Sequence, residues 1–467
     1  MIRPAVAITL AILTVGIVSA QQRSSQVEEA KVDAVFARWT AETPGCAVGV
    51  SKDGKPIVQK AYGMADLEHD VPNRADTIFE AGSVSKQFTA AAVLLLAQDG
   101  KLSLDDSVRK HVPELPDYGA PLTIRHMLQH TSGLRDWGEV AAIAGWPRTS
   151  RVHTHEHVLD ILSRQKALNF PSGTQYSYSN SGYNLAAIIV SRVSGKSFAE
   201  FSRERIFAPL GLTRTSWRDD HTRIVKGRAI AYAASDGSFR IDMPFENVHG
   251  NGGLLTTVGD LLKWNENFVT PKVGDGEFLK IQQQPGHFND GRPHTYSMGL
   301  VVNEHRGVAQ VAHSGSTAGY RAHLTRFPAE RLSVAVLCNV SSGAATQYAM
   351  TISEMYLEGK LQPATTKPAA TRQASAPAAS TPESVQDLPS GRFYSDEAEV
   401  TYEVIQGTEG LAIRRRPGTE TRLRKISADE YGLGGNTVRF IRDASGAVTE
   451  MSLKGLRVFD LRFKRID

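Results

Sequence analysis

The sequence has little cysteine: two in 467 residues, Cys46 and Cys338. Two thiols make no disulfide framework, so an ordinary apolar core must hold the fold. Each sits in a strand-like run, CAVGV and LSVAVLCNV. A buried free thiol is the default expectation there, and a Cys46–Cys338 bridge is the alternative. Blocks of like charge are absent too. The 53 cationic and 49 anionic side chains are interspersed, for a formal charge of +4. Without a basic patch, nucleic acid is not an expected partner. Beyond residue 20 no apolar run is long enough to span a bilayer, which takes about 20 residues. No internal repeat is present, which excludes a solenoid.

What is present begins with MIRPAVAITLAILTVGIVSA: one arginine, a short apolar stretch and a small-x-small end at Val18-Ser19-Ala20. That order is expected of a cleaved signal peptide over residues 1–20, with a single membrane anchor as the alternative. Cleavage would leave a periplasmic or secreted protein without stable membrane insertion. Residues 27–360 alternate strand and helix patterns. Residues 361–387, rich in Pro, Ala, Ser and Thr, have almost nothing to bury and read as an extended linker. Residues 388–467 hold short alternating runs (VTYEVIQ, LAIRRR, NTVRFIRD) between Gly- and Asp-rich turns, the pattern of a small all-β unit. Arg414, Arg415 and Arg416 read as a solvated hairpin end. In the large region a hairpin turns at Asp53-Gly54. A helix spans 83–98 and ends at Asp99-Gly100. Residues 311–339 read as two strands around a Pro-containing turn. Strands at both ends with helices between predict an α+β fold, an antiparallel sheet carrying a helical insertion.

Ser-x-x-Lys occurs three times, at Ser83/Lys86, Ser107/Lys110 and Ser163/Lys166. Ser107 lies in a short polar segment and Ser163 near a helix end. Ser83 follows Gly82 and opens a nearly all-apolar helix. A helix N-terminus favours a developing alkoxide. Residues three apart share a face, so Lys86 reaches the Ser83 hydroxyl. A helix apolar all round is buried, and burial lowers a lysine pKa toward that of a usable base. An N-cap serine beside a solvated lysine is the plain alternative. Two more segments bear on it. FPSGTQYSYSNSGYNLAAIIV sets Tyr178 and Asn180 in a polar loop before an apolar helix, where a phenol can relay a proton and an amide can hold a carbonyl. AHSGSTAGY sets His313 and Gly315 on an edge-like strand, where glycine admits a close backbone.

In that order, Ser-x-x-Lys, Tyr-x-Asn and His-x-Gly, these residues resemble the serine β-lactamase and penicillin-binding-protein superfamily, over about residues 30–355. The nearest likeness is to class C β-lactamase-related hydrolases, with their esterase and D-amino-acid peptidase branches. LTIRHMLQHTSGL, FAPLGLTRTSW and GNGGLLTTVGDLLKW are similar to that family as well. The resemblance implies a β-lactamase/transpeptidase-like sheet and an acyl-enzyme on Ser83, with Lys86 and Tyr178 sharing the proton transfer. It implies Asn180 at the substrate amide, and an oxyanion hole from the backbone N–H of Ser83 and Ser316, the latter just after Gly315. It requires no metal or organic cofactor. The implied substrate is a small-molecule or peptide acyl compound. The C-terminal unit is similar to the lipocalin-like barrel of some relatives, which covers the active site or mediates assembly.

Where many relatives carry lysine, this chain has His313, mostly neutral at pH 7 with a reference pKa near 6.5. That ranks esters and D-amino-acid peptides above β-lactams, with Arg321 as a possible replacement cation. If His313 acts as a neutral group, activity falls as pH drops through about 6–7. No acidic residue presents itself as activator of the deacylating water. A β-lactamase proper and a non-catalytic penicillin-binding-like sensor are the rival functions. HTHEH at 153–157 lacks the spacing of a zinc motif and reads as a helix start capped by Thr154. His126 and His130 read as structural.

Overall fold

Asp53 and Gly54 both take positive φ, 53° and 77°, as a two-residue type I′ turn requires. They fold β1 (Cys46–Lys52) onto β2 (Lys55–Tyr62) at the predicted place. The computed structural model describes residues 29–363, 389–407, 410–416 and 418–467. The segments read as signal peptide and most of the linker lie outside the described residues.

Four strands from late in this region complete the sheet: β3 (Val301–His305), β4 (Val308–Thr317), β5 (Tyr320–Phe327) and β6 (Leu332–Cys338). The order is β3-β4-β5-β6-β1-β2, antiparallel throughout. Residues 311–339 therefore span three strands, not two. The extra reversal is the two-residue turn Ala318-Gly319, with Ala318 at φ 45°, and Ala-Gly is a weaker hairpin signal than Asp-Gly.

The cysteine expectation is also corrected. Cys46 and Cys338 are directly opposite on β1 and β6, and they are disulfide-bonded across 292 residues. Register decides this, and register between two ends of a chain is invisible in composition.

The helical insertion packs on the sheet. Its centre is α1 (Ser85–Gln98), SKQFTAAAVLLLAQ, buried from Ser85 through Leu96 because it offers no polar stripe. Gly100 ends it at φ 70°. The helix starts two residues later than expected: Gly82–Val84 form a separate 3-10 turn that presents Ser83. Around α1 lie α2 (Trp137–Ile143), α3 (His155–Ser163), α4 (Ser181–Ser194) and α5 (Val258–Glu266). Thr154 caps α3 as expected, in a reciprocal pair with His157. That use of the His157 ring explains HTHEH without a metal. On the other sheet face packs α6 (Ala345–Tyr356). Among the described residues no helix is long and apolar enough to cross a membrane.

The C-terminal unit is a nine-stranded antiparallel sheet. Its two end strands, Thr419–Arg422 and Arg424–Lys425, are separated only by Leu423, so the sheet curls into a nearly closed barrel. Val400–Gly407, Gly410–Arg415 and Asn436–Arg442 match the runs read from sequence.

The barrel docks on the helical side. The Arg135 guanidinium donates to Glu397 at 2.5 Å, both nearly fully buried. Tyr402 donates to the Ile143 carbonyl at 2.9 Å. The arginine run is corrected here. Arg415 donates to the Ala142 carbonyl, and Arg416 stacks over Trp146 at 5.7 Å. Two of the three therefore belong to the interface between the units.

Candidate active site

Only one of the three Ser-x-x-Lys pairs has a buried lysine. Lys86 has no solvent exposure, whereas the side chain of Lys110 is 60% exposed beside Asp106 and that of Lys166 is 61% exposed beside Asp396. The Lys86 Nζ lies 3.1 Å from Ser83 Oγ, 2.9 Å from Asn180 Oδ1 and 2.7 Å from the Asn251 carbonyl. Two of these partners are carbonyl oxygens, which can only accept. A neutral amine gives them its two N–H bonds and leaves its lone pair for the Ser83 hydroxyl. Burial pushes the Lys86 pKa well below its usual value. Nearby Arg457 and Arg148 push the same way, against Asp136.

Tyr178 completes the polar floor. Its hydroxyl faces Ser83, which favours the phenolate, but burial outweighs this and holds its pKa well above the usual phenol value. The phenol is therefore protonated at neutral pH, and the amine beside it is the better base. Asn180 is tied by its backbone N–H to Asp136 Oδ2 at 2.8 Å. Asp136 also caps α2 through Gly138 and Glu139.

The glycines explain how strand and nucleophile meet. A Cβ on Gly315 would lie 2.0 Å from the Ala81 carbonyl oxygen and 3.1 Å from the Ser83 nitrogen. One on Gly82, at φ 50°, would lie 2.6 Å from the Ser316 nitrogen. Without side chains at either position, the N–H groups of Ser83 and Ser316 come side by side, as an oxyanion hole requires. Gly315 thus makes room for the nucleophile turn as well as for any substrate.

His313 is held as a neutral ring. Its Nδ1 donates to the Ser314 carbonyl at 2.6 Å, which leaves Nε2 to accept from the Tyr296 hydroxyl at 3.0 Å. Burial, helped by Lys86, pushes its pKa down to about 3. The expected loss of activity at pH 6–7 therefore cannot come from His313, whose protonation lies well below that range.

The cleft in front of Ser83 has a volume of about 880 Å³. All seven residues singled out from the sequence line it except Lys86, which lies beneath its floor. Arg321 lines it too, donating to the carbonyls of Ala318 and Tyr320.

Several contributors carry no signal that sequence reasoning could use. Asn251 lies in GNGGLL, a connector in which an asparagine among glycines reads as an ordinary loop. His130, structural by its sequence context, stacks on Tyr178 at 4.1 Å and accepts from the Ser179 N–H. It thus positions the Tyr178 loop. Tyr296 has no motif around it. Arg457 arrives from the barrel, where no pattern of the hydrolase region could announce it.

The Beta-lactamase family model matches residues 27–353. A D-aminopeptidase of Gluconobacter oxydans is 32% identical over 328 residues, 70% of this chain and 61% of that protein. One of Brucella anthropi is 28% identical over 305 residues, 65% of this chain and 57% of that protein. The chain thus spans about three fifths of the length of the curated relatives it matches.

Among solved structures, the octameric penicillin-binding protein homologue from Pyrococcus abyssi covers 94% of this chain and 99% of its own, at TM-score 0.62 and 24% identity. The D-amino acid amidase from Ochrobactrum anthropi SV3 covers 67% and 91%, at TM-score 0.57 and 23% identity. At those identities the two structures speak for the fold. The family match covers well over half of the sequence and contains Ser83, Lys86, Tyr178, Asn180, His313, Gly315 and Ser316: this chain belongs to the Beta-lactamase family.

Proposed function

We propose that the protein is an exported serine hydrolase that cleaves amides, peptides or esters of D-amino acids through an acyl-enzyme on Ser83. The observation that carries this reading is Lys86, fully buried with its Nζ 3.1 Å from Ser83 Oγ and its other partners both carbonyl oxygens. In the first step the Ser83 oxygen attacks the substrate carbonyl carbon and its proton passes to Lys86. The carbonyl oxygen becomes an oxyanion between the N–H groups of Ser83 and Ser316. The carbon–nitrogen or carbon–oxygen bond then breaks, and the leaving group takes a proton through Tyr178. Water enters by the same route in reverse, with Lys86 as base, so a separate acid residue is unnecessary. Asn180 holds the acyl-side amide.

The D-amino-acid preference is supported by the curated D-aminopeptidase relatives and by the fold shared with a D-amino acid amidase. The neutral His313 leaves no fixed cation in the position many β-lactam-binding relatives give to lysine, which sets β-lactams lower.

The test is covalent and kinetic. A fluorophosphonate probe is expected to add one adduct, mapped to Ser83 by mass spectrometry. D-amino-acyl p-nitroanilides are expected to outrun their L-enantiomers and a chromogenic cephalosporin. Absence of any Ser83 adduct would overturn the hydrolase reading, and equal turnover of both enantiomers would overturn the D-preference.

A further inference from the structure

The cleft around Ser83 has a one-sided charge. Its lining includes three arginines, Arg148, Arg321 and Arg457, and no carboxylate. Their states differ. Arg148 is spent: it holds buried Glu246 through Nε at 2.9 Å and through a second, shorter contact. Arg321 gives one nitrogen to two backbone carbonyls, and no carboxylate lies within 4 Å of it among the described residues. Arg457 is the most available. Its guanidinium stands 5.0 Å from the Tyr178 ring and makes no hydrogen bond among the described residues. Its nearest carboxylate, Asp136, is 3.6 Å away and already accepts from the N–H groups of Gly138, Glu139 and Asn180.

Arg457 is also carried rigidly. It sits in the barrel turn between Val448–Lys454 and Leu461–Arg465. The backbone of that turn is fastened to the hydrolase unit at both faces. The N–H groups of Leu456 and Arg457 donate to the Glu139 carboxylate at 2.8 and 2.7 Å. The Arg457 carbonyl accepts from Asn169 at 2.9 Å and from the Asp136 N–H. The Phe459 N–H donates back to Asn169 at 2.7 Å. A planar guanidinium held at the cleft by a fastened backbone, with spare donors, matches a carboxylate. The backbone share of the ordering cost is met before any ligand arrives.

We infer that Arg457 is a specificity residue of this hydrolase: it selects substrates whose acyl side bears a carboxylate and disfavours those presenting a free α-ammonium. The inference rests on the hydrolase reading above and narrows it. Arg457 faces Tyr178 and, through it, Asn180, the residue assigned to the acyl-side amide. The selected carboxylate therefore belongs to the acyl portion, beyond the D-residue. An α-ammonium there would face the Arg457 and Arg321 guanidiniums, and no carboxylate lines the cleft to pair with it. An N-blocked, acidic D-acyl group fits better than a free-amino D-acyl group.

The test uses three matched substrates on the full chain: N-succinyl-, N-acetyl- and unblocked D-alanyl p-nitroanilide. In the wild type, kcat/KM is expected to fall in that order, with about 10- to 100-fold between the first and last. In Arg457→Gln the succinyl-to-acetyl ratio collapses toward one, mainly through KM, and Arg457→Lys retains part of it. The ratio cancels any effect of Arg457 on Lys86, which acts on both substrates alike.

Calorimetric binding of the same three compounds to Ser83→Ala separates this inference from the hydrolase reading. If the wild type turns over none of them, that reading fails, and the binding order still decides the role of Arg457. A wild-type preference for the unblocked substrate would overturn the inference. So would a ratio unchanged in Arg457→Gln, or equal or undetectable binding of all three by Ser83→Ala.

Discussion

Ser83/Lys86 and Ser163/Lys166 are one four-residue pattern placed in two regions of the molecule. At the first, the lysine continues a helix that is buried all round, and its amine meets two carbonyl oxygens and a serine hydroxyl. At the second, α3 ends at Ser163, whose hydroxyl turns back to the Asp160 carbonyl at 2.8 Å. Lys166 then reaches out to Asp396 on the barrel in an exposed ion pair. The spacing is identical, yet only one lysine is stripped of water. Chemistry follows from desolvation and fixed acceptors, and spacing supplies only the opportunity.

The comparison breaks most visibly if the nucleophile is removed. Ser83→Ala is expected to abolish fluorophosphonate labelling and to lower kcat by at least about 10⁴-fold. Lys86→Ala is expected to cost about 10²–10⁴-fold, the usual worth of a positioned base. Lys86→Arg should not rescue it, because a guanidinium cannot be deprotonated. Steady-state kinetics with melting curves as a folding control would check both, and a Lys86→Arg enzyme near wild-type rate would refute the role of Lys86 as base.

Gly315→Ala probes the other wall of the site. The added Cβ would meet backbone on the nucleophile turn at 2.0 Å, so strand and turn must part. Separating the Ser83 and Ser316 N–H groups is expected to cost about 10²–10³-fold in kcat. An unchanged kcat would show that the oxyanion is held elsewhere.

A pH profile sharpens the contrast between Lys86 and His313. The proposed mechanism uses Lys86 as a free amine, so kcat/KM should rise with pH through its depressed pKa and fall below it. His313, at about 3, contributes no limb between pH 5 and 8. Removing the Arg457 cation raises the Lys86 pKa, so in Arg457→Gln the acid limb should move to higher pH. A limb that stays in place when Arg457 is removed would assign it to another group.

Much of this is legible in the sequence wherever a local pattern carries the physics. The Asp53-Gly54 turn, the buried helix after Ser83, the Thr154 cap and the strand runs of the barrel each depend on neighbours in the chain. The order of the three motifs points to the family. What cannot be read depends on register and docking. Cys46 meets Cys338 only because β1 and β6 pair in one particular register. Arg457 reaches Tyr178 only because Glu139, Asn169 and Arg135 seize the barrel turn. His313 reads as a titrating group because an imidazole in water titrates near neutrality, and burial removes it from that range. Asn251 and Tyr296 escape notice because an asparagine among glycines and a lone tyrosine look the same in any loop.

The smallest expected effect is the sharpest control on the opening comparison. Ser163→Ala removes one hydroxyl bond to a helix-end carbonyl. Lys166→Ala removes an exposed ion pair of the kind that contributes about 0–1 kcal/mol. The tie that matters at this corner is the Lys166 backbone N–H, which donates to buried Glu397 at 2.6 Å and survives either change. The double variant should therefore keep kcat/KM within about twofold of wild type, because neither side chain lines the cleft. A large loss of turnover without loss of folding would mean that the second Ser-x-x-Lys does more than pin the barrel, and the distinction drawn from burial would fail.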